Sequence, residues 1–155
     1  MPANSHSIAS KRYSGTSFST RVRHMTQNLP ALVTLLTVLL QFGTMWVVGH
    51  ARGKYRIQAP AISGHPVFER AYRVQMNTLE NTVMFLPTLW LAAHYGYVFW
   101  AGVAGLVWVL GRVWYAIAYL GDAGKRGGGY MVGMVGWAAT LVMAALGLGR
   151  ALLAG

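Results

Sequence analysis

The stretch FERAYRVQMNTLEN, residues 68–81, carries the side chains best suited to chemistry. Arg73, Asn77 and Glu80 follow one another at spacings of four and three, which puts them on one face of a helix. Arg70 flanks that face, whereas Gln75 points away from it, toward a neighbouring helix or subunit. A second stripe, Arg112, Tyr115 and Tyr119, repeats helical spacing, with Trp108 four residues before Arg112 on the same side. Glu80 lies about two turns inside an otherwise apolar span, where a lone carboxylate needs a cation or a proton. Arg52, Arg70, Arg73, Arg112 and Arg126 together outnumber it, so after pairing with Glu80 several guanidinium groups remain. Arg grips carboxylates through paired hydrogen bonds. Such a set suits a ligand with more than one anionic group and an ammonium for Glu80: an anionic amino-acid-like or peptide ligand at a membrane surface. Arginines that bind lipid head groups are the alternative the same residues support. Taken singly, Arg112 is also compatible with snorkelling to the interface, and Tyr115 and Tyr119 with an interfacial aromatic belt.

The elements that must position these residues are membrane spans. The chain has 155 residues, 55% hydrophobic and 10% charged, where a soluble domain carries about 25% charged residues. Mean hydropathy is +0.41. These values exclude a soluble globular protein, a disordered tail and a collagen-like repeat. A net charge of +10 on so apolar a chain does not describe a nucleic-acid binder either. The absence of Cys excludes disulfides, thiolate metal sites and a cysteine nucleophile, and no metal is expected.

From Thr26 to His50 no charge interrupts the chain, enough for one crossing. A second uncharged stretch, Asn81 to Gly111, exceeds one helix, and His94-Tyr95-Gly96-Tyr97 offers a tight turn. The pattern predicts a second helix over about 67–94 and a third over about 98–120. The Gly-rich segment GDAGKRGGG precedes a fourth over 127–149. The expected fold is an all-α, four-transmembrane-helix bundle with both termini on one side. Gly129, Gly133 and Gly136 favour close helix approach, read as packing within the bundle rather than a specific dimer motif. So thin a bundle also predicts an oligomer. Residues 1–24, Ser-rich and without acid, read as a disordered or processed N-terminal extension, with 25–155 as the folded domain. Five basic residues at each end of the spans leave the orientation undecided by charge.

The residues Glu69, Arg70, Arg73, Asn77 and Glu80 fit E-R-x-x-R-x-x-x-N-x-x-E. That pattern resembles the signature of the MAPEG family, the membrane-associated proteins in eicosanoid and glutathione metabolism. The resemblance covers the chain beyond about Met25 and includes the four-span layout, an Arg after the first span and the R-x-x-Y-x-x-x-Y of the third. It implies a homotrimer with glutathione held in a cleft between adjacent subunits. By similarity, Arg52, Arg73, Gln75, Asn77 and Glu80 contact the tripeptide, Glu80 near its α-amino group. Tyr115 and Tyr119 complete the site from the neighbouring subunit. Arg126 falls seven residues after Tyr119, where the leukotriene synthase branch has the arginine that stabilises the thiolate. Arg70, Asn81 and Arg112 would support these groups. Asn81 stands where that branch has Tyr, and Gly53 replaces a second basic residue. Both departures favour a general detoxifying transferase, acting on hydrophobic electrophiles or lipid hydroperoxides. The implied setting is a bacterial inner membrane or endoplasmic reticulum, with a cytosolic site. A non-catalytic lipid-binding scaffold of the same family is the alternative. A four-span transporter fits poorly, because a cation site ringed by arginines is electrostatically wrong.

Overall fold

The structure, a computed structural model, describes residues 27–155; the expected extension over 1–24 lies outside the described residues. Pro30 stands in the first turn of helix α1 (Leu29–Lys54), where the missing N–H costs nothing. Arg52 and Lys54 occupy its last turn and complement the helix dipole, so α1 continues past the uncharged stretch that ends at His50. Helix α2 (Pro66–Ala92) begins with Pro66, and the His65 imidazole caps it by accepting from the Val67 N–H at 3.2 Å. Glu69, in its first turn, accepts from the Gly64 N–H at 3.0 Å and ties the preceding loop to the helix.

The turn expected at 94–97 is present. Ala93–Tyr97 forms a wide helical turn in which Gly96 takes φ +96°, a conformation few residues other than Gly adopt. Helices α3 (Val98–Gly121) and α4 (Gly127–Leu153) follow, joined by a short 3-10 segment over Ala123–Arg126 that Asp122 caps. α4 runs four residues beyond the expected 149, since nothing in its last turn breaks the helix.

Three helical stretches are long and apolar enough to cross a membrane: Leu29–Lys54, Pro66–Gly121 and Ala123–Leu153. The middle one has 56 residues, far more than one crossing needs, and Gly96 folds it back into the α2–α3 pair. Asn77 therefore meets Arg112, Phe85 stacks on Trp108 with ring centroids 4.0 Å apart, and Arg70 meets the Leu120 carbonyl. Every pair lies about equally far from the turn. Large apolar side chains such as Trp46, Leu110 and Ile117 remain exposed on the outer surface, as a lipid environment allows.

Close packing of α3 on α4 depends on glycine. A Cβ added at Gly129 would meet the Tyr115 backbone, one at Gly111 the Gly133 backbone, and one at Gly136 the Trp108 nitrogen. These small residues serve contacts inside the chain, as the bundle-packing expectation has it.

Candidate functional site

Two helix faces meet where α2 and α3 approach the loops. Arg112 is 1% exposed and does not snorkel outward. Its Nη2 donates to Asn77 Oδ1 at 2.8 Å and to Thr78 Oγ1 at 3.0 Å, and its guanidinium lies 4.2 Å from the Tyr115 ring centroid. Thr82 Oγ1 donates to the Thr78 carbonyl at 2.8 Å and accepts from Gln41 Nε2 at 2.7 Å, so α1 joins the same network. Asn81, buried, donates to the Asn77 carbonyl at 2.8 Å. Tyr115 is buried, with the Tyr119 ring 5.5 Å and the Tyr130 ring 6.3 Å away.

Nearer the surface, Glu69, Arg70, Tyr72, Arg73 and Tyr119 line a polar cleft of about 560 Å³. Arg70 Nε donates to the Leu120 carbonyl at 3.2 Å, pinning α2 to the end of α3. Arg126 is exposed at the end of the 3-10 segment, its guanidinium 5.5 Å from the Tyr119 ring and its Nη1 donating to the Ala123 carbonyl at 2.8 Å. Tyr119 thus bridges Arg126 and the Arg73 cleft.

The two polar stripes read from the sequence therefore form two neighbouring zones. The inner one is built on Asn77, Arg112 and Tyr115, the outer one on Arg70, Arg73 and Tyr119. Arg52 sits apart from both: its Nη1 donates to the carbonyls of Ile57 at 3.3 Å and Ala61 at 3.0 Å, and it stacks over Phe68. The expected pairing of an arginine with Glu80 is corrected. Among the described residues Glu80 is exposed on the outer side of α2 and has no cation partner within the chain; carbonyls hold Arg52, Arg70 and Arg126, and Asn77 and Thr78 hold Arg112. Gln75, half-buried, lies on the other side of α2 from Arg73, as its spacing requires.

Thr78, Thr82, Gln41 and Tyr130 take part in this region without having been singled out from the sequence. The only sequence signal for the threonines is their own i, i+4 spacing beside Asn77. Among the described residues no group of three or more His, Asp or Glu side chains gathers as a metal site would need.

An apolar groove of about 470 Å³ runs beside the inner zone between α1, α2 and α3. Leu40, Val47, Val74, Val113 and Ile117 are among its walls.

An uncharacterized protein of Synechocystis sp. is 46% identical over 104 residues, 67% of this chain and 76% of that protein. Human microsomal glutathione S-transferase 2 is 36% identical over 125 residues, 81% of this chain and 85% of the relative. Guinea pig (Cavia porcellus) leukotriene C4 synthase is 42% identical over 98 residues, 63% of this chain and 65% of the relative. The MAPEG family model matches residues 30–146, which spans parts of all four helices and both zones of the site. The chain belongs to the MAPEG family.

Proposed function

We propose that this protein is a membrane-embedded glutathione transferase that activates the glutathione thiol for attack on hydrophobic electrophiles. The observation that carries the reading is that Arg73 and Tyr119 line one cleft, with Arg126 5.5 Å from the Tyr119 ring, on the same helices as the Asn77–Arg112 hydrogen bond. The names of two relatives, a glutathione S-transferase and a leukotriene C4 synthase, point the same way.

In this reading four helices cross the membrane, with the cleft on the cytosolic side of a bacterial inner membrane or endoplasmic reticulum. Three copies assemble so that Glu80 and Gln75, on opposite faces of α2, each meet a neighbouring subunit or its ligand. Arg52, Arg73, Gln75, Asn77 and Glu80 hold the tripeptide, Glu80 against its ammonium. Tyr119 closes the site from the same copy as Arg73, whose cleft it lines, rather than from the adjacent copy, and Tyr115 packs beside it. Arg70, Asn81 and Arg112 keep these groups in place.

The protein has no thiol of its own, so the nucleophile comes from glutathione. A free thiol has a pKa of about 8.5 and is only a few per cent ionised near pH 7. Arg126 at the sulfur stabilises the thiolate by its charge. A hundredfold rise in the ionisation constant requires about 2.7 kcal/mol of differential stabilisation, within the reach of one partly desolvated guanidinium. The thiolate attacks the electrophilic carbon, the sulfur–carbon bond forms, and the leaving group departs with its electron pair. With a lipid hydroperoxide the thiolate instead attacks the outer oxygen, the O–O bond breaks, and the lipid alkoxide leaves and takes a proton from water. A second glutathione reduces the resulting sulfenic acid to give the disulfide and water. The apolar groove supports an electrophile that arrives from the bilayer side.

A conjugation assay with glutathione and a chromogenic aryl halide in detergent tests this. Glutathione-dependent product formation is expected. Glutathione binding with no turnover would favour the scaffold reading instead, and no binding at all would remove the proposal.

A further inference from the structure

We infer that Arg112 and Thr78 are positioning residues: they hold the Asn77 carboxamide oxygen inward and so turn its amide N–H groups toward glutathione. The inference rests on the glutathione reading above and sharpens it.

The chemistry of the partners fixes the orientation. A guanidinium has five N–H donors and no acceptor. The Asn77 atom 2.8 Å from Arg112 Nη2 is therefore the carboxamide oxygen. The same Nη2 is held from a second direction by Thr78 Oγ1 at 3.0 Å. Tyr115 packs against the guanidinium, with the ring centroid 4.2 Å from Cζ. With Arg112 1% exposed, these contacts leave it little freedom to turn. Thr82 and Gln41 extend the support into α1 through bonds of 2.8 Å and 2.7 Å. Asn81 is spent on the Asn77 main-chain carbonyl and does not compete for the side chain.

Among the described residues no acceptor meets the Asn77 amide nitrogen, and that atom is not among the buried polar atoms lacking a partner. It therefore lies on the open side, between exposed Arg73 one turn before and exposed Glu80 one turn after. Along this face the order is two donors, Arg73 and the Asn77 amide, then one acceptor, Glu80. The glutathione group opposite Asn77 must accept hydrogen bonds, which makes it a carboxylate or peptide carbonyl and excludes the ammonium.

The rival account gives Asn77 only the task of satisfying Arg112. Asn77→Asp separates the two. The substitution keeps an inward oxygen for Arg112 and places a negative charge beside a guanidinium that has no carboxylate partner among the described residues. It replaces the outward N–H donor with a second oxygen, which repels an accepting group on glutathione.

The experiment is calorimetric titration of the detergent-purified protein with glutathione, alongside thermal unfolding of each variant. For Asn77→Asp the unfolding midpoint is expected to stay at or above that of the native chain, while Kd for glutathione rises at least about tenfold, about 1.4 kcal/mol. Thr78→Val is expected to raise KM for glutathione severalfold with KM for the electrophile unchanged, and Thr78→Ser to restore it. Equal glutathione affinity in native protein and Asn77→Asp overturns the inference and leaves the transferase reading standing. A midpoint for Asn77→Asp well below the native value also overturns it, since the inward atom would then not be an acceptor. Failure of the native protein to bind glutathione removes both.

Discussion

Inside the bundle the Arg112 guanidinium and the Asn77 carboxamide oxygen lie 2.8 Å apart, a buried cation held by a neutral acceptor. Nη2 satisfies Asn77 and Thr78 together, while Nε finds no partner in the chain among the described residues. Shortening this side chain strands two acceptors and opens space between α2 and α3. Arg112→Ala is expected to cost about 3 kcal/mol, lowering the thermal midpoint in detergent by about 10 °C. A midpoint within error of the native value would contradict the assignment of Arg112 to the core.

The α3–α4 contact predicts a sharp contrast between glycines. At Gly136 a Cβ would stand 2.6 Å from the Trp108 nitrogen and 2.7 Å from the Ala104 carbonyl oxygen, both main-chain atoms. Gly136→Ala should therefore push the helices apart and destabilise the fold by about 2 kcal/mol. At Gly43 nothing lies within 4 Å, so Gly43→Ala should be neutral or stabilising by about 0.5 kcal/mol. Differential scanning fluorimetry of the pair reads the difference, and equal midpoints would refute the packing account.

Arg126 reaches the Tyr119 ring from an exposed position at the start of α4. In the proposed mechanism its charge stabilises the thiolate more than the bound thiol. Arg126→Ala should form at least about tenfold less thiolate at neutral pH while retaining measurable glutathione binding. Stopped-flow absorbance at the thiolate band follows this directly. Normal thiolate appearance in the variant removes Arg126 from the role.

Glu80 stands exposed on the side of α2 that carries Arg73. If it receives the ammonium of the tripeptide, Glu80→Gln should weaken glutathione binding about fivefold to tenfold, with no loss of thermal stability. Calorimetry gives the affinity, and an unchanged Kd would sink the contact.

The charged framework was legible in the sequence because charge inside an apolar span has few explanations. The spacing of Arg73, Asn77 and Glu80 gave one helical face, and the hairpin brought Arg112 and Tyr115 beside it. What the spacing did not reveal is which donor meets which acceptor. Five arginines around one carboxylate suggested ion pairing, yet main-chain carbonyls from Ile57, Ala61, Leu120 and Ala123 hold three of them. Such carbonyls exist at every position and leave no mark on residue type. Thr78, Thr82 and Gln41 were equally quiet, since neutral polar residues are common in spans and bond their own helix. Helix ends shifted by a few residues where Pro66 set a start and uninterrupted apolar sequence let α4 continue.

The α2–α3 hairpin also acts as a ruler. Arg112 finds Asn77 only because the Gly96 turn fixes the register of α3 on α2. One residue inserted there would rotate α3 by about 100° and bring Gly111 to the place of Arg112. The connections at 55–65 and 122–126 carry no such constraint on this pair, since neither lies on the path between its members. Length variation among relatives should therefore gather in those two connections and avoid 93–97, so that the two halves of the site are inherited together.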